Sequence, residues 1–245
     1  GVDPRREADR GTSGWFLVVE ACMIAPDEDS GSVRMLAMLE LLVELGYKVA
    51  FVADNLEYRQ PYVRQLQQRG VEVWHSPHVA SVAQLLEQEG RHFSHIMFCR
   101  HYIAAPYMQD VRRWAPQAKV LFDSVDLHYL REQRMAELEN DSQLLKLSEK
   151  TRDQELGVIR QADVTLVVSP VEKTLLATET PDARVEVLSN IHEPVAHTPG
   201  FEGRDGLLFV GGFQHPPNVD AVRWFLEDVW PIVHQRAPHI CVRIV

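Results

Sequence analysis

The chain has 245 residues, longer than a typical single domain, which predicts one large domain or one domain and part of a second. Hydrophobic residues make up 45% and charged residues 24%, an ordinary balance for a globular protein. A formal net charge of −10 argues against nucleic acid as the main partner, and no apolar run approaches the roughly 20 residues that span a bilayer. Residues 1–14 are polar, lack the apolar core of a signal peptide, and read as a linker; starting without Met, they suggest a piece of a longer polypeptide. Three widely spaced cysteines, Cys22, Cys99 and Cys241, have apolar neighbours and predict buried free thiols in a reducing, cytoplasmic setting. A peripheral membrane contact stays open, although no basic amphipathic segment declares one.

Along the chain, short β-branched runs alternate with helical patterns. Strands are predicted at Trp15–Val19, Lys48–Ala53, Val71–Trp74, His95–Phe98, Lys119–Phe122, Val164–Val168 and Val185–Leu188. Between the first two, Met35, Met38, Leu39, Leu42 and Leu45 recur at helical spacing, and Gly46 ends the helix. Further helices are predicted over Pro61–Arg69, Val79–Glu89, Ala105–Trp114, Leu130–Arg160 and Pro170–Ala177. Apolar strands alternating with helices imply an α/β fold with a Rossmann-like, doubly wound parallel sheet over residues 15–194. Residues 195–206, rich in Pro and Gly, read as a linker. From residue 207 to 245 a strand, a Gly-Gly turn, a helix over Val219–Arg236 with Asn218 as its cap, and a strand at Ile240–Val245 predict the incomplete start of a second Rossmann-like domain.

In open parallel sheets ligands bind at the carboxyl ends of the strands, and the loops predicted there carry the candidate residues. After the first strand, Ser30-Gly31-Ser32 stands just before a helix, where backbone N–H groups can meet an anion; a plain capped loop is the simpler reading. The neighbouring Asp27-Glu28-Asp29 imitates a D-x-D metal motif but belongs to a different fold type, and no metal is expected. After the fifth strand, Asp123, Asp126, His128, Arg131 and Glu132 crowd a strand end and a helix start. They can serve as caps and loop bonds, or can orient a proton carrier or a sugar hydroxyl. Arg100, at the end of the fourth strand, can bind a phosphate or a carboxylate, or form a structural ion pair. Gly211-Gly212 suits either a tight turn or close approach to a diphosphate. The charges of the long Leu130–Arg160 segment read as the solvated face of one helix, or of a pair of helices, with no catalytic role.

The stretch Leu207-Leu-Phe-Val-Gly-Gly-Phe-Gln-His-Pro-Pro-Asn-Val-Asp-Ala-Val222 resembles the opening of the donor domain in bacterial glycosyltransferases of family 4. Phe122 to Glu132, Ala162 to Ser169 and Val187 to Pro194 resemble their acceptor domain and hinge. The resemblance implies a metal-free, retaining enzyme of the GT-B arrangement that moves a sugar from a nucleotide-sugar co-substrate to a glycan or lipid-linked acceptor in polysaccharide assembly. It implies His128 and Asp126 as the catalytic pair that orients the transferred sugar. Ser30, Gly31, Arg100, Asp123, Arg131 and Glu132 would line the acceptor side, and Gly31, Gly211 and Gly212 would face the donor phosphates. The family's basic donor-site residues are expected beyond residue 245, leaving the chain by itself inactive. A non-catalytic sugar-binding or scaffolding module, or an epimerase on the same architecture, are the alternatives.

Overall fold

The computed structural model describes residues 11–192, 194, 200–213 and 216–245. The chain divides into two compact units, Gly1–His192 and Glu193–Val245.

The first unit is built on seven strands, β1 (Gly14–Glu20), β2 (Tyr47–Ala53), β3 (Val71–Trp74), β4 (Phe93–Cys99), β5 (Lys119–Asp123), β6 (Val164–Val167) and β7 (Val185–Val187). They form one sheet in the order β3-β2-β1-β4-β5-β6-β7, every pair parallel. Side chains alternate between the two faces of a strand, so each face needs its own apolar cover. Phe16, Val18 and Phe51 face one buried cluster, while Leu17, Val19 and Val52 face the other.

Helices α1 (Ser30–Glu44) and α2 (Tyr62–Gln68) cover the first face through Met35, Met38, Leu39, Val63 and Leu66. On the other face lie α3 (Val82–Glu89), α4 (His101–Trp114), α5 (His128–Glu139), α6 (Ser142–Gln161) and α7 (Pro170–Glu179), with Leu85, Met108, Tyr129, Leu156 and Leu176 in the core. Each such side chain, fully buried, contributes roughly 1.5–3 kcal/mol of apolar transfer. The parallel α/β expectation therefore holds for this unit. Among the described residues no helix is long and apolar enough to cross a membrane.

Several elements differ from expectation. The helix predicted from Ala105 begins at His101, and the Leu130–Arg160 segment is the pair of helices and not the single one, separated at Asn140, whose left-handed φ of 52° turns the chain. Cys22 and Cys241 are exposed and only Cys99 is buried, because the first two lie beyond or outside the packed strand interiors.

The second unit pairs β8 (Leu207–Phe209) with β9 (Val242–Ile244) in parallel. Between them run α8 (Pro216–Trp224), a π-helical turn (Phe225–Val229) and α9 (Trp230–Arg236). Asn218 lies inside α8 instead of capping it, and its Nδ2 donates to the Gly212 carbonyl at 2.9 Å.

Candidate metal centre at the carboxyl edge

The strand order reverses between β1 and β4, the position in an open parallel sheet where the loops at the carboxyl ends diverge and ligand crevices form. Two helices begin in the loops that follow β4 and β5, and each opens on a histidine. His101 is the first residue of α4, two positions after β4 ends, and His128 is the first residue of α5. A strained residue precedes each, directly before His101 and three positions before His128. Arg100 adopts φ 72° and Val125 φ 65°, conformations that L-residues with a Cβ rarely take. The Arg100 N–H, donating to the Asp123 carbonyl at 2.9 Å, ties the two loop starts together.

Glu155 reaches the same place from α6. It belongs to the inward stripe Ser148, Thr151, Glu155 and Val158 and is fully buried. Its Oε2 accepts the Tyr129 N–H at 3.2 Å, which aims Oε1 at the histidines. Oε1 lies 3.7 Å from His101 Nδ1 and 3.7 Å from His128 Nδ1, beyond hydrogen-bond range in both cases. His101 Nδ1 and Glu155 Oε1 are buried and have no hydrogen-bond partner among the described residues. Two buried polar atoms that face each other without a hydrogen bond mark a place where a bound ion would satisfy both.

The three side chains can each offer one donor atom, and these atoms lie within 4.8 Å of one another. Bonds of 2.0–2.2 Å to a tetrahedral ion would set ligand atoms roughly 3.3–3.6 Å apart, within reach of small side-chain rotations. His128 Nδ1, the ring nitrogen near Glu155, also lies 3.0 Å from the Asp126 carbonyl, a contact that holds the imidazole in its orientation. Burial pulls the His128 pKa down, but Glu155 and Asp126 more than offset it, and the net shift is upward. Burial raises Glu155, but His101, His128 and the Tyr129 N–H outweigh it and hold the carboxyl below its ordinary value. Tyr102 lies edge-on to both imidazoles, with ring centroids 5.5 Å and 5.7 Å away.

The residues expected from the sequence are distributed differently. His128 and Asp126 do come together, with His128 Nδ1 3.3 Å from Asp126 Oδ1, and Arg131 pairs with Asp126 at the rim. Asp123 is fully buried and bound bidentately by Arg34, at 2.6 and 2.9 Å, so it faces protein and not solvent. Arg100 is paired with Glu20. Glu132 keeps one buried oxygen without a partner, one helical turn beyond His128.

At the start of α1, Asp29 accepts the Ser32 N–H at 2.8 Å and its hydroxyl at 2.6 Å, so Ser30 and Gly31 border an acidic cap rather than an open anion cradle. Gly211 is explained by packing, since a Cβ there would meet Asn218 Nδ2 at 2.9 Å and the Phe209 ring at 3.0 Å. Gly212 lends its carbonyl to Asn218. Sequence reading missed His101 and Glu155. The available signal was spacing: each falls on the inward helical stripe of its own helix, where a titratable group is out of place.

No family model and no curated protein matches the chain. A solved structure described as the HpcH/HpaI aldolase from Desulfitobacterium hafniense DCB-2 matches over 77% of this chain and 90% of its own. It is 13% identical, with a TM-score of 0.24. At that score the likeness carries no argument about fold or chemistry.

The assignment to glycosyltransferase family 4 is corrected here: no family model and no curated protein matches the chain to carry it. Glycosyl transfer in polysaccharide assembly, with the sugar-orienting role for His128 and Asp126, falls with it. The site explains why the local resemblance misled. Asp123, expected to line the acceptor side, is committed to Arg34. The expected absence of a metal is also corrected, because His101, His128 and Glu155 form a donor set that fits one.

Proposed function

We propose that the first unit binds a divalent transition-metal ion through His101, His128 and Glu155 and uses it in catalysis on a small molecule entering at the carboxyl edge of the sheet. The observation that carries this reading is the pair of buried, unpartnered atoms, His101 Nδ1 and Glu155 Oε1, facing each other at 3.7 Å. Two imidazoles and one carboxylate suit zinc or ferrous iron, and a three-residue set leaves coordination positions open to exchange, as catalytic sites do. Bound there, the ion would supply Lewis-acid activation of a ligand oxygen. The chain's own residues do the rest. The Tyr129 N–H aims Glu155, the Asp126 carbonyl orients the His128 ring, and the buried sides of α4 and α6 close the inner face. Tyr102, half exposed and with its hydroxyl pKa raised chiefly by burial, stays protonated at neutral pH and can donate to a ligand at the mouth.

Metal content of the purified protein and a cobalt(II) titration followed by visible absorption test the reading. One ion per chain is expected. At free metal near 100 times its dissociation constant the fold gains about 2.7 kcal/mol. Glu155→Gln and His101→Gln should weaken binding by more than the 10–100-fold typical of an outer-sphere change. Wild-type protein that binds no cobalt, or variants that bind it as well as wild type, would refute the assignment.

A further inference from the structure

The ends of β1 and β4 are where the crevice opens, and the charged groups there are Glu20, the last residue of β1, and Arg100, the first residue after β4. Three arginines stand at this edge of the sheet, and the structure uses them differently. Arg34 is buried and held through both amino nitrogens, with two bonds to Asp123 and a third to the Leu188 carbonyl at 3.0 Å, and its Nε is shut away from solvent. Arg131 lies on the exposed rim, paired with Asp126. Arg100 is both anchored and open: its side chain is 25% exposed and, among the described residues, hydrogen-bonded only through Nη1, to the buried Glu20 carboxylate. Guanidinium carries five N–H groups, so the donors on Nη2 and Nε remain for a partner from solution.

The backbone fixes where that guanidinium points. Arg100 keeps an unfavourable φ of 72° because its N–H is held by the Asp123 carbonyl while His101, the next residue, starts α4. Position and strain thus couple Arg100 directly to a metal ligand. Tyr102 spans the gap. Its ring packs edge-on against His101 and His128, and its hydroxyl lies within electrostatic reach of both Arg100 and Arg131. Arg100 thus adjoins His101 in the chain, and Tyr102 packs on both imidazoles of the centre.

We propose that Arg100 is the anchor for an anionic oxygen group, a carboxylate or a phosphoryl, on the small molecule that this site accepts. The proposal rests on the metal-site reading and deepens it. The anionic group pairs with Nη2 and Nε of Arg100 in the two-point geometry that favours planar or tetrahedral oxyanions. A second oxygen of the same molecule faces the metal ligands. Glu20 holds the guanidinium in place from behind and limits its affinity, because its negative charge competes with the ligand for the same cation.

The test is calorimetric titration of inorganic phosphate and of malonate into metal-free and cobalt-loaded protein, for wild type, Arg100→Gln, Arg100→Lys and Glu20→Gln. Saturable binding of at least one probe by cobalt-loaded wild type is expected, weakened at least tenfold in Arg100→Gln and less in Arg100→Lys. Glu20→Gln should bind the probe more tightly, and this arm still decides the matter if Arg100→Gln fails to fold. The cobalt spectrum of Arg100→Gln should retain its wild-type intensity. Anion affinity in Arg100→Gln within twofold of wild type, or cobalt-loaded wild type that takes neither probe, overturns the proposal while leaving the metal reading intact. Arg100-dependent anion binding in a protein that takes no cobalt would instead sink the metal reading alone.

Discussion

Replacing Asp123 by Asn isolates the energetics of the ion pair on which the crevice is built. Arg34 and Asp123 are 4% and 0% exposed, and their contact is bidentate, at 2.6 and 2.9 Å. The carboxamide would keep one acceptor for the guanidinium but turn an NH₂ group toward the other donor, leaving a buried arginine charge uncompensated. Removing one partner of a buried pair in this way costs about 3–5 kcal/mol, a large fraction of a total stability of roughly 5–15 kcal/mol. The double replacement Arg34→Met with Asp123→Leu removes both charges and should recover most of the loss, since the pair's attraction is largely offset by desolvation. Urea unfolding followed by circular dichroism reads both variants. A loss below about 1 kcal/mol in Asp123→Asn, or a double variant no better than the single, would refute the reasoning. The first result would also return Asp123 to the pool of solvent-facing candidates.

Two further outcomes follow from the geometry. His128 titrates above its ordinary value of 6.5, so its protonated form stabilises the metal-free fold fully below that value and ceases to do so as pH rises through the folded pKa. Glu155 titrates below 4.5, so its contribution is present above that value and is lost as pH falls through the folded pKa. In chelator-treated protein, the melting-temperature gap between wild type and Glu155→Gln should therefore be widest between about pH 5 and 6.5 and narrow toward pH 8. A gap that does not change with pH would contradict this coupling. In the second unit, Gly206 has φ 81°, and a Cβ there would meet the Cys241 carbonyl oxygen at 2.6 Å. Gly206→Ala should cost more than about 1 kcal/mol and loosen the β8–β9 pairing. Wild-type hydrogen-exchange protection at Leu207, whose N–H donates to that same carbonyl, would show that the turn tolerates a side chain.

The elements were legible in the sequence because their signals are local. Runs such as Lys48–Ala53 and Val71–Trp74 announce buried strands, and the Met35, Met38, Leu39 spacing announces a helix with one apolar face. From such alternation the parallel α/β unit follows, since apolar strands need helices on both faces. His128 and Asp126 were legible as neighbours for the same reason, being two residues apart at a strand end. What sequence could not supply was partnership over long separations. Arg34 finds Asp123 across 89 residues, and Arg100 finds Glu20 across 80. The Glu155 in a segment that reads as a solvated charged helix turns inward because α6 packs against α5 with that stripe facing the core. The strand order decided these meetings by placing the carboxyl ends of β1, β4 and β5 side by side. Local sequence sets periodicity and burial, whereas the identity of a buried charge's partner depends on which strand ends become neighbours. That choice is made by the packing of the whole sheet.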